Sequence, residues 1–214
     1  IGNVFTQEDK SPKFILLAIM FWFIAYNALD TFFTLYGVKH LGLESGDSAF
    51  QISFIGLAFM LMAVPAGLLA AKLKRKRVIM AGIIVMITCV VLMYAIPTDI
   101  LTIQLASIMG SGFYILSIIL VVAGFGWAMI NVNSLPMVVD MTDDEHIGTY
   151  TGLYYFFSQV AATIGPVVFG WTIQLANNDY HLMMVIAPFF LVLAFLMMLG
   201  VHKGEAKTSE TVQE

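Results

Sequence analysis

Cysteine occurs once in this chain, as Cys89 inside an apolar run. A single thiol can make neither an intrachain disulfide nor a cysteine-based metal site. Histidine is nearly as scarce: His40, His146, His181 and His202 are scattered, with no pair at i, i+4. A metalloenzyme therefore has no support, and no metal site is expected. No Gly-rich loop followed by Lys is present to cradle a phosphate, so no cofactor is expected either. Charge is the largest deficit. Only 11% of the 214 residues are Asp, Glu, Lys or Arg, where a water-soluble domain carries about a quarter. No nucleic-acid partner is expected, and the net charge of −4 says less than where the charges stand. The opening IGNVFTQEDKSPK is polar and acidic, without the basic start and short apolar stretch of a secretory signal. A chain that starts at Ile1 on such a linker is expected to be cut from something longer.

What fills the chain is apolar: 60% hydrophobic residues and a mean hydropathy of +0.90. So much apolar surface cannot hide in one core, and it must face lipid. A helix needs ~20 apolar residues to cross ~30 Å of hydrocarbon. Six segments reach that length, at roughly 14–36, 49–71, 78–96, 113–134, 149–175 and 180–201. They lack the strict alternation of β-barrel strands. The expected fold is an all-α six-helix transmembrane bundle over 14–201, with a cytoplasmic linker at 1–13 and a cytoplasmic tail at 202–214. The stretch 100–112 is itself fairly apolar, and either extends the fourth helix or lies along the surface.

Orientation follows from the basic residues. With the N-terminus inside, Lys10, Lys13, Lys72, Lys74, Arg75, Lys76, Arg77, Lys203 and Lys207 all fall on the cytoplasmic side, and only Lys39 falls outside. A multi-pass protein of the cell membrane is expected, with both termini cytoplasmic.

Ionisable groups at membrane depth are costly and are functional candidates. Asp30 is the one acid well inside a span, ~24 Å from the inner end of the first helix at 1.5 Å per residue. Trp22, Tyr26 and Asp30 recur at i, i+4 and i+8 with Asn27 beside them, which gives an aromatic, hydroxyl and carboxylate face. Such a face suits a sugar or similar polyol, and Asp30 is where a proton or Na⁺ could couple. The competing reading makes Asp30 a hydrated helix cap. The fourth segment aligns Gly124, Trp127, Asn131 and Ser134, with Asn133 adjacent. The fifth aligns Gly148, Gly152, Tyr155, Gln159 and Ala162. Buried amides without partners are costly, so both stripes should face the bundle or a wet cavity. Gly148-x-x-x-Gly152 and Ala161-x-x-x-Gly165 read as small-residue helix-packing motifs. The candidate substrate-binding set is Trp22, Tyr26, Asn27, Asp30, Trp127, Asn131, Tyr155 and Gln159.

Two inner loops carry opposite charge. Lys72, Arg75 and Arg77 belong to the basic one; Asp140 and Asp143 belong to the acidic one. Paired across the inner surface they could act as a cytoplasmic gate, since a small bias between two states is enough. Attraction to the lipid bilayer's anionic headgroups is a second use of the basic run.

The stretch Gly67-Leu-Leu-Ala-Ala-Lys72-Leu-Lys-Arg75-Lys76 resembles the loop motif of the major facilitator superfamily. The sequence departs from that motif at Ala71, where an Asp belongs, and at Lys74, where a Gly belongs, as the motif's copy in the second half of these transporters does. Pro136-Met-Val-Val-Asp140-Met-Thr-Asp143-Asp144-Glu145, followed by Gly148, Gly152 and an aromatic run, resembles the tenth-to-eleventh helix region of the glycoside–pentoside–hexuronide:cation symporters and the sucrose:proton symporters. Val160 stands after Gln159 where the first group tends to carry Lys, a departure from its sodium-coupling pattern. The resemblance implies helices seven to twelve, the C-terminal half of a secondary transporter that is not an enzyme. It implies a small polar solute moved by alternating access, a coupling proton or sodium ion, and a missing N-terminal six-helix half.

Two other functions compete. One is an intramembrane serine protease with Ser111 and His181 near the outer ends of spans four and six, although Met109 stands where a rhomboid-type motif needs Gly. The other is a transport-inactive scaffold or sensor.

Overall fold

The computed structural model describes residues 10–204; residues 1–9 of the expected linker and 205–214 of the expected tail, with Lys207, lie outside them. Six helices are long and apolar enough to cross a membrane. They are α1 (Ser11–Lys39), α2 (Ser45–Leu73), α3 (Arg75–Ala95), α5 (Ile115–Val139), α6 (Ile147–Leu175) and α7 (Met183–Leu199). A short helix α4 (Thr98–Leu101) and a hairpin of β1 (Gln104–Ile108) and β2 (Ser111–Tyr114) join α3 to α5. A 3₁₀ turn at Tyr180–Leu182 leads into α7. The apolar stretch at 100–112 is thus no helix extension; β1 is exposed along its length and lies at the surface as a paired strand. Met109 and Gly110 both take positive φ, and that turn folds the segment back on itself.

The helices form because their apolar runs are long and, Asp30 apart, carry charge only near their ends, where specific stops also stand. Pro12 stands in the first turn of α1, where its missing N–H is no loss. Between α2 and α3 the chain needs a single residue, Lys74, at φ 76° and ψ 137°. This is the place where the resembled loop motif carries Gly, and the backbone shows why: only Gly adopts such angles at low cost.

The packing divides the six helices into two groups of three. Helix α5 lies against α2 and α3, and α1 lies against α6 and α7, while α3 meets α7 between the groups. Shifting every span by three maps this pattern onto itself. Three spans reverse the chain's direction through the layer, so α1–α3 and α5–α7 are inverted repeats, each packed group mixing spans of both. Glycine permits the closest approaches. A Cβ at Gly124 would stand 2.6 Å from the Ile55 carbonyl oxygen, and one at Gly165 would stand 2.6 Å from the Ile24 carbonyl oxygen. The Ala161/Gly165 motif is a packing surface, as expected. Gly148 and Gly152 are not: nothing lies within 4 Å of a Cβ at either.

One end of the bundle carries the basic α2–α3 junction, the acidic α5–α6 junction and the last residues of α7; the other carries the hairpin. At the basic end, Arg75 ion-pairs with Asp140 and donates to the Pro136 carbonyl at 3.4 Å. Lys76 Nζ donates to the carbonyls of Leu199 at 3.0 Å and Val201 at 2.6 Å. The start of α3 thereby grips the C-terminal ends of α5 and α7, where orphan carbonyls and the helix dipole attract cations.

At the hairpin end, Asp47 accepts from the Tyr114 hydroxyl at 2.7 Å and from the Gly112 amide at 3.3 Å. Buried Gln51 donates to the Gly112 carbonyl at 3.0 Å and accepts from Ser117 at 2.5 Å. The first turns of α2 hold the hairpin in place. Together with burial, the Asp47 carboxylate pushes the Tyr114 phenol up to about 12.

Candidate functional site

The polar stripes of α5 and α6 converge on one cleft, which α1 borders with a phenylalanine. Phe23 of α1, Asn131, Val132, Leu135 and Pro136 of α5, and Tyr154, Tyr155, Ser158 and Gln159 of α6 line about 450 Å³. A small-molecule site typically occupies ~300–1,000 Å³. The side-chain amides of Asn131 and Gln159 have no hydrogen-bond partner among the described residues and remain available to a solute. Ser134 fixes the wall between them: its hydroxyl donates to the Asn131 carbonyl at 2.9 Å and lies 3.1 Å from the Tyr154 hydroxyl. Ser158 and Thr163 use their hydroxyls on carbonyls of their own helix.

Phe23 and Tyr154 make the cleft's aromatic floor, and Tyr26 and Trp127 support it from behind without lining it. Tyr26 and Trp127 stack face to face, with centroids 3.8 Å apart and planes at 4°. Phe23 meets Trp127 edge-on at 5.4 Å and Tyr154 at 6.3 Å. Tyr26 already covers one face of the indole, so Trp127 supports the floor more than it offers an open platform. Below these rings Asn133 ties α5 to α2, donating to the Ala66 carbonyl at 3.3 Å; it is helix glue.

Other candidates are elsewhere. Trp22 is 0% exposed, and its indole N–H has no partner among the described residues. It packs in the core, because α1 turns Phe23, Tyr26, Asn27 and Asp30 to the open side and Trp22 inward. Asn27 spends its amide on the Phe23 carbonyl, 2.7 Å away. Asp30 stands outside the main cleft. It lines a separate crevice of about 30 Å³ with Tyr26, Leu29, Phe33, Ile52 and Ile55, room for roughly one water. No hydrogen bond engages its carboxylate among the described residues. Tyr26 lines the Asp30 crevice and is linked to the cleft only through its stack on Trp127, which meets the cleft residue Phe23.

The expected gate residues also separate. The Arg75–Asp140 pair lies within this bundle. Asp143 turns to His146 instead, at 2.6 Å; that contact holds the Asp143 carboxyl below its ordinary range and His146 above its own. Lys72 and Arg77 are exposed. Ser111 and His181, the protease pair, are not joined by any hydrogen bond among the described residues, and His181 is stacked on other rings.

Sequence reasoning missed Phe23, Tyr154 and Ser158. Phe23 is three residues before Tyr26 and seven before Asp30, so an i, i+3, i+4, i+7 template would have found it. Tyr154 adjoins Tyr155 and is separated from it only by the rotation of α6.

The sequence pattern described as Major Facilitator Superfamily matches residues 3–119 and 100–214. The chain belongs to that superfamily. Each matched stretch holds three complete spans, α1–α3 and α5–α7, the two sets that the shift by three interchanges. Among solved structures, the chain is similar to a peptide transporter POT crystallised with alafosfalin, with a TM-score of 0.71 at 16% identity over 96% of this chain and 43% of that one. It is also similar to the E. coli fucose:proton symporter, with a TM-score of 0.65 at 18% identity over 91% of this chain and 49% of that one. The chain thus spans less than half the length of either structure. No curated protein matches it at a significant level. This superfamily chain is a multi-pass membrane protein of six helices in a transporter fold, and nothing found supports the protease reading.

Proposed function

We propose that the chain forms one half of a secondary transporter, the half holding helices seven to twelve, which moves a sugar or similar small neutral polyol by alternating access. The observation that carries this reading is the cleft of about 450 Å³ with two unengaged amides, two tyrosines and no ionic side chain in its lining. Neutral hydrogen-bonding groups above an aromatic floor fit a solute rich in hydroxyls and without charge. The glycoside–pentoside–hexuronide and sucrose:proton symporter resemblance agrees, and so does the sugar:proton pairing in the name of one structural neighbour. The missing six-helix half closes the cleft from the open side. Its basic end faces the cytoplasm by the positive-inside rule.

Asn131, Gln159 and Tyr155 bind the solute in this reading, with Tyr26 and Trp127 below. Asp30 couples a proton: it is an acid at membrane depth, without a hydrogen-bond partner among the described residues, in a crevice it shares with Tyr26. Lys72 and Arg77, exposed at the basic end, remain for pairing with the other half, while Arg75–Asp140 braces this one.

The test is uptake of labelled sugars by the full-length transporter in proteoliposomes. Each lost neutral hydrogen bond costs ~0.5–1.5 kcal/mol, so Asn131→Ala and Gln159→Ala should each raise KM about 3–10-fold. Asp30→Asn should abolish proton-driven accumulation and leave exchange intact. Wild-type uptake and accumulation by all three variants would remove these residues from the site.

A further inference from the structure

Away from the cleft, four rings stack at the hairpin end where α1, α3 and the turn before α7 meet. His40 and His181 lie face to face, with centroids 4.1 Å apart and planes at 11°. Tyr94 of α3 stacks on His181 at 4.7 Å and 15°. Tyr36 of α1 stacks on His40 at 5.2 Å and 16°. The pile is anchored below, where the Tyr36 hydroxyl donates to the Met93 carbonyl at 3.3 Å. It is anchored at the side, where Asp179 caps the 3₁₀ turn by accepting from the His181 amide at 2.9 Å. No hydrogen bond engages either imidazole among the described residues. The imidazoles therefore hold to their neighbours through stacking alone, while the Tyr36 hydroxyl adds one hydrogen bond between α1 and α3.

Two neutral imidazoles stack without penalty, but two imidazoliums 4.1 Å apart repel. We propose that the His40–His181 stack is a pH-sensitive latch that ties the ends of α1, α3 and α7 together while neutral and releases them when the compartment at the hairpin end acidifies.

The groups around the stack set its balance. Partial burial and the neighbouring His181 both hold His40 below its ordinary value, while Asp179 pulls the other way. The other titratable groups around the stack are Tyr36, Tyr94 and Tyr180, and Lys39 and Asp99 are exposed at the same end. A folded-state value below the unfolded one means the contribution is present above about pH 6.5 and is lost as pH falls. The inference does not depend on what the cleft carries.

The test is thermal unfolding of the purified chain in detergent at pH 7.5 and 5.5, with His40→Phe and His181→Phe. Phenylalanine keeps the stack and removes the charge. Going from pH 7.5 to 5.5 should therefore cost wild type about 2–4 °C more in Tm than either Phe variant, the shift that ~1 kcal/mol makes in a chain of this size. Curves parallel to wild type at both pH values would overturn the latch. Should the Phe variants not fold, His181→Gln serves the same comparison. A second measurement reads the opening itself: nitroxide labels at positions 39 and 98, in a Cys89→Ser background, should separate or broaden in distance at pH 5.5. An unchanged distance distribution between the two pH values would also overturn it.

Discussion

Replacing Lys74 by glycine should raise the stability of the chain, against the usual cost of glycine between helices. Lys74 sits at φ 76° and ψ 137°, outside the regions open to residues with a Cβ, and such a conformation costs of order 1–3 kcal/mol. Its side chain is exposed and makes no hydrogen bond or ion pair among the described residues, so truncation forfeits no contact. Against the relief stands the greater freedom of glycine in the unfolded chain, about 0.5–1 kcal/mol. The balance is a gain of roughly 0.5–2 kcal/mol, or about 1–8 °C in Tm. Cys89 supplies the assay: it is the sole thiol and 2% exposed, so a maleimide dye reports unfolding as that thiol is uncovered. Lys74→Ala is the control, since it removes the same charge and keeps the Cβ. Strain at this junction requires Gly to exceed Ala. Equal melting temperatures for the two variants, or a lower one for Gly, would refute the reasoning.

Four further outcomes follow from the packing and the two polar ends. Gly165→Ala drives a Cβ to 2.6 Å from a backbone oxygen of α1 and should lower Tm by about 2–8 °C at an overpacking cost of ~1–2 kcal/mol. Gly152→Ala in the same helix meets nothing within 4 Å and should raise Tm slightly; the same dye assay reads both, and equal shifts would contradict the packing. Tyr114→Phe removes the Asp47 bond and should speed amide exchange at Gly112 about 10-fold, for ~1.4 kcal/mol lost from a charge-assisted bond; unchanged protection would mean Gln51 alone holds the hairpin. His146 has a folded value raised above its unfolded one by Asp143, so their contact is complete below about pH 6.5 and fades as pH rises through the folded value. Imidazole NMR should find the midpoint elevated and restored by Asp143→Asn, and identical midpoints would dissolve the pair.

Periodicity and charge alone were enough for six spans and for the basic and acidic junctions, because lipid demands long uncharged runs and admits few structures. The amide stripes were legible too: Asn131, Tyr155 and Gln159 do line one cleft. What each residue faces was not legible. Trp22 and Phe23 are neighbours in the chain, yet the rotation of α1 buries one and opens the other. A glycine pair spaced for packing, Gly148 and Gly152, borders open space, while Gly124 and Gly165 carry the close contacts. Asp143 met His146 rather than a lysine, and Asp47, Gln51 and Tyr114 joined across more than 60 residues of chain. His40 and His181, with no shared motif, became stacked rings. A helix's sequence specifies its stripes to within a fraction of a turn, but which stripe turns inward is decided by the packing of all six helices together. That choice, made only in the tertiary structure, is what separates the cleft from the Asp30 crevice and sets the His40–His181 stack apart from both.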